Sequence, residues 1–231
     1  MQAAAPTTPP QCARPPDGHK DESQHELYER GRTFRRRVTI GGLCVAAALA
    51  LAARSMRPRP ALAVFGHVPS FHLVNERGAP FDATSMLGHV SVVDFIFTHC
   101  TSSCPRLTAT MADLQGRLAR GESSAKLISF SVDPDDDTPS VLAGYAARVH
   151  ADLDRWSFVT GSPEDVTRAV VSGFKISAAK IARGAGDYEV THGDWFVLVD
   201  GRQQIRGYYS VDEPGALDTL MESVHRLEKE P

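Results

Sequence analysis

Two cysteines with three residues between them, Cys100 and Cys104, carry the most chemistry in this chain. They lie in Phe-Thr-His-Cys-Thr-Ser-Ser-Cys-Pro, residues 97–105. Thiolates are nucleophiles and soft metal ligands, so such a pair can share a disulfide or a metal ion. A Cys-x-x-Cys spacing is the ordinary redox motif; here one more residue separates the sulfurs. The remaining cysteines, Cys12 and Cys44, fall outside the segment that reads as folded, so four cysteines supply only one pair. One pair is too few for a disulfide-stapled scaffold.

The elements around the pair explain how it would be held. Val90 to Phe97 is mostly apolar and rich in β-branched and aromatic residues, the signature of a buried strand. Pro105 then opens an amphipathic run, Leu107, Met111, Leu114 and Leu118, at helical spacing. Proline costs little in a first turn, where its missing N–H would be unpaired anyway. The thiols thus sit at a strand-to-helix junction, where backbone N–H groups and the helix dipole favour thiolates. A helix starting near Ser102 would place both sulfurs on one face.

Further along, Lys126 to Asp133 reads as a second strand and Asp133 to Pro139 as a turn. Thr138 is the expected N-cap and Pro139 the first residue of a helix holding Val141, Leu142, Tyr145 and Val149. The acidic run lacks the twelve-residue loop and bidentate glutamate of an EF-hand, so turn and capping duties are expected. Asp133 could still face the cysteines from its strand. Trp156 to Thr160 reads as a strand, and Ser162 caps a helix running to about Phe174. Residues 176–191, with Gly184 and Gly186 and few large apolar side chains, read as a mobile loop. Trp195 to Val199, the turn signal Asp200-Gly201, and Gln204 to Tyr209 form a hairpin, followed by a helix using Leu217, Leu220, Met221 and Val224. Phe71, Leu73, Val74 and Phe81 about a turn suggest a small leading hairpin. Strands alternating with helices and closing in a hairpin and a helix describe an α/β fold, a thioredoxin-like central sheet flanked by helices.

The N-terminal quarter is different in kind. Residues 1–37 are rich in Pro, Ala, Thr and Gln and read as a disordered tail. Cys12, His19 and His25 within it are either an auxiliary metal tail or solvated filler. Acidic residues argue against a mitochondrial transit peptide. Residues 38–54 form the expected transmembrane anchor, of which 38–53 are an uncharged apolar run, preceded by Arg35, Arg36 and Arg37. Sixteen helical residues span about 24 Å, slightly short of a ~30 Å hydrocarbon core, which thinning and snorkelling of Arg54 can accommodate. Rival readings are a cleaved signal peptide ending at Ala61-Leu62-Ala63 or a buried core helix. The arginines before the span place the N-terminus in the cytoplasm and export the rest. Residues 55–62 would then be a linker and 63–231 the exported domain. The net charge of −3 is too mild to imply a nucleic-acid partner.

A specific resemblance emerges from three motifs in order. The cysteine segment, Ser131-Val-Asp-Pro-Asp-Asp-Asp-Thr-Pro139, and Thr191-His192 before an apolar strand resemble the Sco/SenC family over about residues 63–228. Those are thioredoxin-fold, membrane-tethered copper proteins that help assemble the binuclear copper site of cytochrome c oxidase. Two departures stand out: Thr101 where members usually carry Pro, and Val190-Thr191-His192 where Val-Asp-His is common. The resemblance implies that Cys100, Cys104 and His192 hold copper, as Cu(I) and Cu(II). It also implies that the partners are the oxidase subunit carrying the binuclear site and other copper donors. The location implied is a bacterial inner membrane, crossed once, with the C-terminal domain in the periplasm. Two thiolates and an imidazole suit copper, whereas a hard cation would want carboxylates. His99, beside Cys100, is expected to be structural or supporting.

Two functions remain open at this level. One is a copper-binding assembly factor, a metallochaperone. The other is a thiol–disulfide reductant that uses the redox-active Cys100–Cys104 pair to prepare the acceptor's cysteines through a mixed disulfide. His192 separates them, because a reductant needs only the thiols.

Overall fold

The computed structural model describes residues 49, 60–100, 104–176, 178–184, 187–192 and 194–230, with side chains left undescribed from 178 to 192. The chain divides into two units, 1–60 and 61–231. The expected tail and anchor, with Cys12, His19, His25 and Cys44, lie outside the described residues apart from Leu49, as does most of the expected linker. Among the described residues no helix is long and apolar enough to cross a membrane.

Within 61–231 the strands are β1 Gly66–His67, β2 His72–Asn75, β3 Pro80–Asp82, β4 Ser91–Ile96, β5 Lys126–Ser131, β6 Trp156–Thr160, β7 Ala178–Gly184, β8 Asp187–His192, β9 Trp195–Val199 and β10 Gln204–Ser210. The helices are α1 Cys104–Arg120, α2 Pro139–Arg148, α3 Pro163–Thr167 and α4 Ala216–Leu227. Among the described residues, one sheet runs in the order β1-β10-β9-β4-β5-β6-β2-β3, and β7 pairs with β8 in a separate sheet.

β4 is central, parallel to β5 and antiparallel to β9. All six of its residues are buried, as expected of a strand covered on both faces. Alternation sends Val92, Asp94 and Ile96 to one face and Val93 and Phe95 to the other. On the first face Val92 and Ile96 pack with Leu107, Met111 and Leu114 of α1, Leu142 and Tyr145 of α2, and Leu220 and Val224 of α4. On the second, Val93 and Phe95 meet Phe71, Phe130, Val170 and Phe174. Asp94 is therefore carried on the helix-covered face, an unusual place for a carboxylate.

Several expected elements are present with modest changes. The leading hairpin pairs Leu73 with Phe81. Thr138 caps α2, its hydroxyl accepting from Val141 N at 3.4 Å, with Pro139 in the first turn. Ser162 caps α3 in the same way, accepting from Asp165 N at 3.1 Å. That helix is not continuous to Phe174: α3 gives way to a π-helical turn, Arg168–Gly173, which seats Ala169 and Val170 in the core. Gly173 is required there, since a Cβ would run into the Pro69 ring.

The segment read as a mobile loop is instead the β7–β8 hairpin, with Ala178 opposite His192 and Ile181 opposite Glu189. The reason is backbone pairing: Ile181, Tyr188, Val190 and Thr191 have the β-branched and aromatic character that favours strands. The two arms satisfy each other's hydrogen bonds without adding to the main sheet. A register shift between Ala182 and Gly184 marks the bend before the turn.

Candidate thiol and metal centre

β4 delivers the first cysteine. After Ile96 the chain leaves the sheet in a tight turn in which Cys100 N donates to Phe97 O at 3.3 Å. Val132 N donates to Ile96 O at 2.8 Å, so β5 holds the strand end to the point where the turn begins. The second cysteine opens α1, and Cys104 N donates to Cys100 Sγ at 3.4 Å. Both are present as thiols. α1 is described from Cys104 onward, and the expected start near Ser102 lies outside the described residues. Cys100 reaches in from the strand-end turn and lies against the N–H of Cys104.

The two thiols are not equivalent. Cys100 is half-buried, and Cys104 is fully buried against Phe97, with Cys100 and Val132 packed alongside. Burial pushes the Cys104 thiol well above its ordinary pKa, with the sulfur contact to Cys100 and the charges of Cys100 and Asp94 acting in the same direction. For Cys104, desolvation therefore outweighs the helix N-terminus, contrary to the expectation that both thiols would be favoured as thiolates. Cys100 is the accessible sulfur that receives an N–H, and Cys104 is the shielded one.

Beside Cys100 runs a groove of about 380 Å³ lined by Pro105, Thr108, Ala109 and Ala112 of α1 and by Tyr145 and Val149. Thr108 Oγ1 and Tyr145 OH bond each other at 2.7 Å.

Beneath α1 lies a carboxylate that the sequence reading did not single out. Asp94 is completely buried; Ser129 Oγ donates to its Oδ1 at 2.5 Å, and Trp156 Nε1 donates to Ser129 Oγ at 2.9 Å. Its Oδ2 has no hydrogen-bond partner among the described residues. Burial raises its pKa to about 7, against the opposing effect of the Ser129 bond. A lone aspartate in an otherwise apolar strand was the available signal. Asp137, in the acidic turn, is also fully buried, and it accepts hydrogen bonds from Thr98 and Ser131.

The other expected residues are placed as follows. His192 ends β8, opposite Ala178 in the hairpin register. Its side chain lies outside the described atoms. His99 is exposed beside Cys100. Asp133 is buried, and its carbonyl accepts from Asp136 N at 3.2 Å and Asp137 N at 2.9 Å, which is turn duty. Among the described residues, no group of three His, Cys, Asp or Glu is arranged to hold a metal ion. The described side chains thus bring Cys100 and Cys104 together.

The sequence profile of the SCO1/SenC family matches residues 62–228. The chain belongs to the SCO1/SenC family. It is 34% identical to the SCO1 protein homolog of Bacillus subtilis over 158 residues, covering 68% of this chain and 80% of that protein. The structure of BsSco, described as a disulfide-switch member of the Sco family of cytochrome c oxidase assembly proteins, is similar at a TM-score of 0.64 and 30% identity. That match covers 74% of this chain and all of the other (100%). Bradyrhizobium japonicum ScoI, solved with copper bound, shares the fold at a TM-score of 0.61 and 21% identity, covering 71% of this chain and 99% of that one. The α/β, thioredoxin-like architecture of this SCO1/SenC chain is thus that of solved Sco proteins.

Proposed function

We propose that this SCO1/SenC protein is a copper metallochaperone that helps assemble the binuclear copper site of cytochrome c oxidase. Copper is its cargo, held by Cys100, Cys104 and His192. The observation that carries the reading is the apposition of Cys100 Sγ and Cys104 N, 3.4 Å apart, with the Cys104 and Cys100 side chains in one packed cluster. Two sulfurs at one point make a soft site, which suits Cu(I); an added imidazole would suit Cu(II), which wants nitrogen and more ligands. Relatives support it: BsSco is described as an oxidase assembly protein and ScoI was solved with copper. The acceptor is then the oxidase subunit carrying the binuclear site, and copper arrives from other donors. Residues 38–54 anchor the chain once in a bacterial inner membrane, with the domain from residue 63 in the periplasm.

Copper titration of the reduced protein tests this. One copper per chain is expected, with sulfur neighbours at about 2.2–2.3 Å by X-ray absorption, judged from zinc–thiolate lengths. Cys100→Ser or Cys104→Ser should abolish tight binding, and His192→Ala should weaken Cu(II) more than Cu(I). Absence of sulfur neighbours would refute the copper reading.

A second reading, a thiol–disulfide reductant, is favoured by the inequality of the thiols. The accessible Cys100 would attack a partner disulfide, and the shielded Cys104 would resolve the mixed disulfide, leaving a Cys100–Cys104 disulfide and two reduced partner thiols. A His192→Ala protein that handles both copper states normally would favour it.

A further inference from the structure

We propose that Asp137 is a positioning residue for Cys100, acting through Thr98. The inference rests on Cys100 being the working thiol of the function proposed above, and it adds a residue that the acidic turn had hidden. Asp137 is the last of three successive aspartates, a run whose composition suggests a solvated turn. Yet its side chain is fully buried while Asp136 is exposed. Three donors on two other segments converge on it. Thr98 N donates to Oδ1 and Oδ2, each at 3.2 Å. Thr98 Oγ1 donates to Oδ1 at 2.5 Å, and Ser131 Oγ donates to Oδ2 at 2.6 Å.

The location of these donors gives the carboxylate its role. Thr98 is the second residue of the Phe97–Cys100 turn, the segment that carries Cys100 from β4 to α1. Ser131 ends β5, and Asp137 itself precedes the Thr138 cap of α2. The Asp137 backbone is held in turn, its N donating to Asp133 O at 2.9 Å. One buried acceptor therefore pins the Cys100 turn to the end of β5 and the start of α2. The 3.4 Å contact from Cys104 N to Cys100 Sγ exists only while that turn keeps its place. Hydrogen bonds to an ionised acceptor are about twice as strong as neutral ones. Removing the acceptor would leave a buried N–H and two hydroxyls competing for new partners.

The test compares Asp137→Asn, Thr98→Val and their double variant in the reduced full chain. The readouts are the rate and pH profile of iodoacetamide alkylation at Cys100, resolved by peptide mass spectrometry, and Cu(I) affinity by competition with a chelator. Outer partners of metal ligands typically matter by about 10–100-fold. Each single variant is expected to slow Cys100 alkylation at neutral pH and weaken Cu(I) binding by about tenfold. The double variant should be no worse than the stronger single one, since both break the same link. Thr98→Ser, which keeps the hydroxyl, should behave as wild type. Thermal unfolding separates the alternative: a merely structural residue would lower the melting temperature and leave the alkylation profile of the folded protein unchanged. That result, or additive effects of the two single variants, would overturn the proposal. If Asp137→Asn fails to fold, Thr98→Val against Thr98→Ser decides it alone. A wild-type protein that binds no copper and whose Cys100 resists alkylation would instead overturn the proposed function.

Discussion

Asp94→Asn should make the protein more stable at neutral and alkaline pH, and by an amount that changes with pH. Asp94 is fully buried, its Oδ2 lacks a partner among the described residues, and its pKa is raised from 3.8 to about 7. The unfolded chain ionises near 3.8, so between there and about 7 the native state holds a proton that the unfolded state has released. Stability associated with this group is therefore full below pH ~4, falls as pH rises, and levels off above ~7. At about 1.4 kcal/mol per pH unit, the whole loss is about 4 kcal/mol. Asparagine has nearly the same shape, keeps an oxygen for the Ser129 hydroxyl and carries no charge at any pH. The assay is urea unfolding of wild type and Asp94→Asn from pH 4 to 8, reading the difference in unfolding free energy. That difference should be smallest near pH 4 and rise towards about 4 kcal/mol by pH 8, less whatever the buried amide loses by lacking a partner of its own. A difference independent of pH would refute the argument, because it would mean that Asp94 ionises alike in both states. The same substitution should also ease deprotonation of Cys104, since the Asp94 charge is one of the effects that raise that thiol.

Two further outcomes follow from the inequality of the thiols and from the sequence of the N-terminal segment. In the reduced protein at neutral pH, iodoacetamide should label Cys100 well before Cys104, and Cys104 should label appreciably only at strongly alkaline pH or on unfolding; equal rates would contradict its burial and raised pKa. If residues 38–54 anchor the chain, it should stay with membranes through a carbonate wash, and protease added on the periplasmic side should reach residue 63 onward; a soluble mature form beginning near Val64 would indicate signal cleavage instead.

Local chemistry made much of this protein legible in one dimension. The apolar, β-branched run before Cys100 reads as a covered strand, and it lies at the centre of the sheet. Thr138-Pro139 and Ser162-Pro163 announced two helix starts because an N-cap hydroxyl and a first-turn proline act over three or four residues. The cysteine spacing, the acidic turn and Thr191-His192 were enough for the resemblance to the SCO1/SenC family that the profile match then showed. What composition misjudged was residues 176–191, whose two arms pair with each other, a choice that depends on register across the hairpin and not on apolar content. The tertiary structure alone decided the environments of the ionisable groups. Cys100 and Cys104 look alike in sequence, yet one is half-buried and the other is sealed beneath the strand-end turn. Asp136 and Asp137 are neighbours of the same type, yet the first is exposed and the second is buried and bonded to the turn that carries Cys100. Asp94 sits in an apolar strand with nothing nearby in sequence to say that Ser129 and Trp156 would surround it. Desolvation and hydrogen bonding are set by what the rest of the chain brings alongside, and that information is spread over residues dozens of positions away.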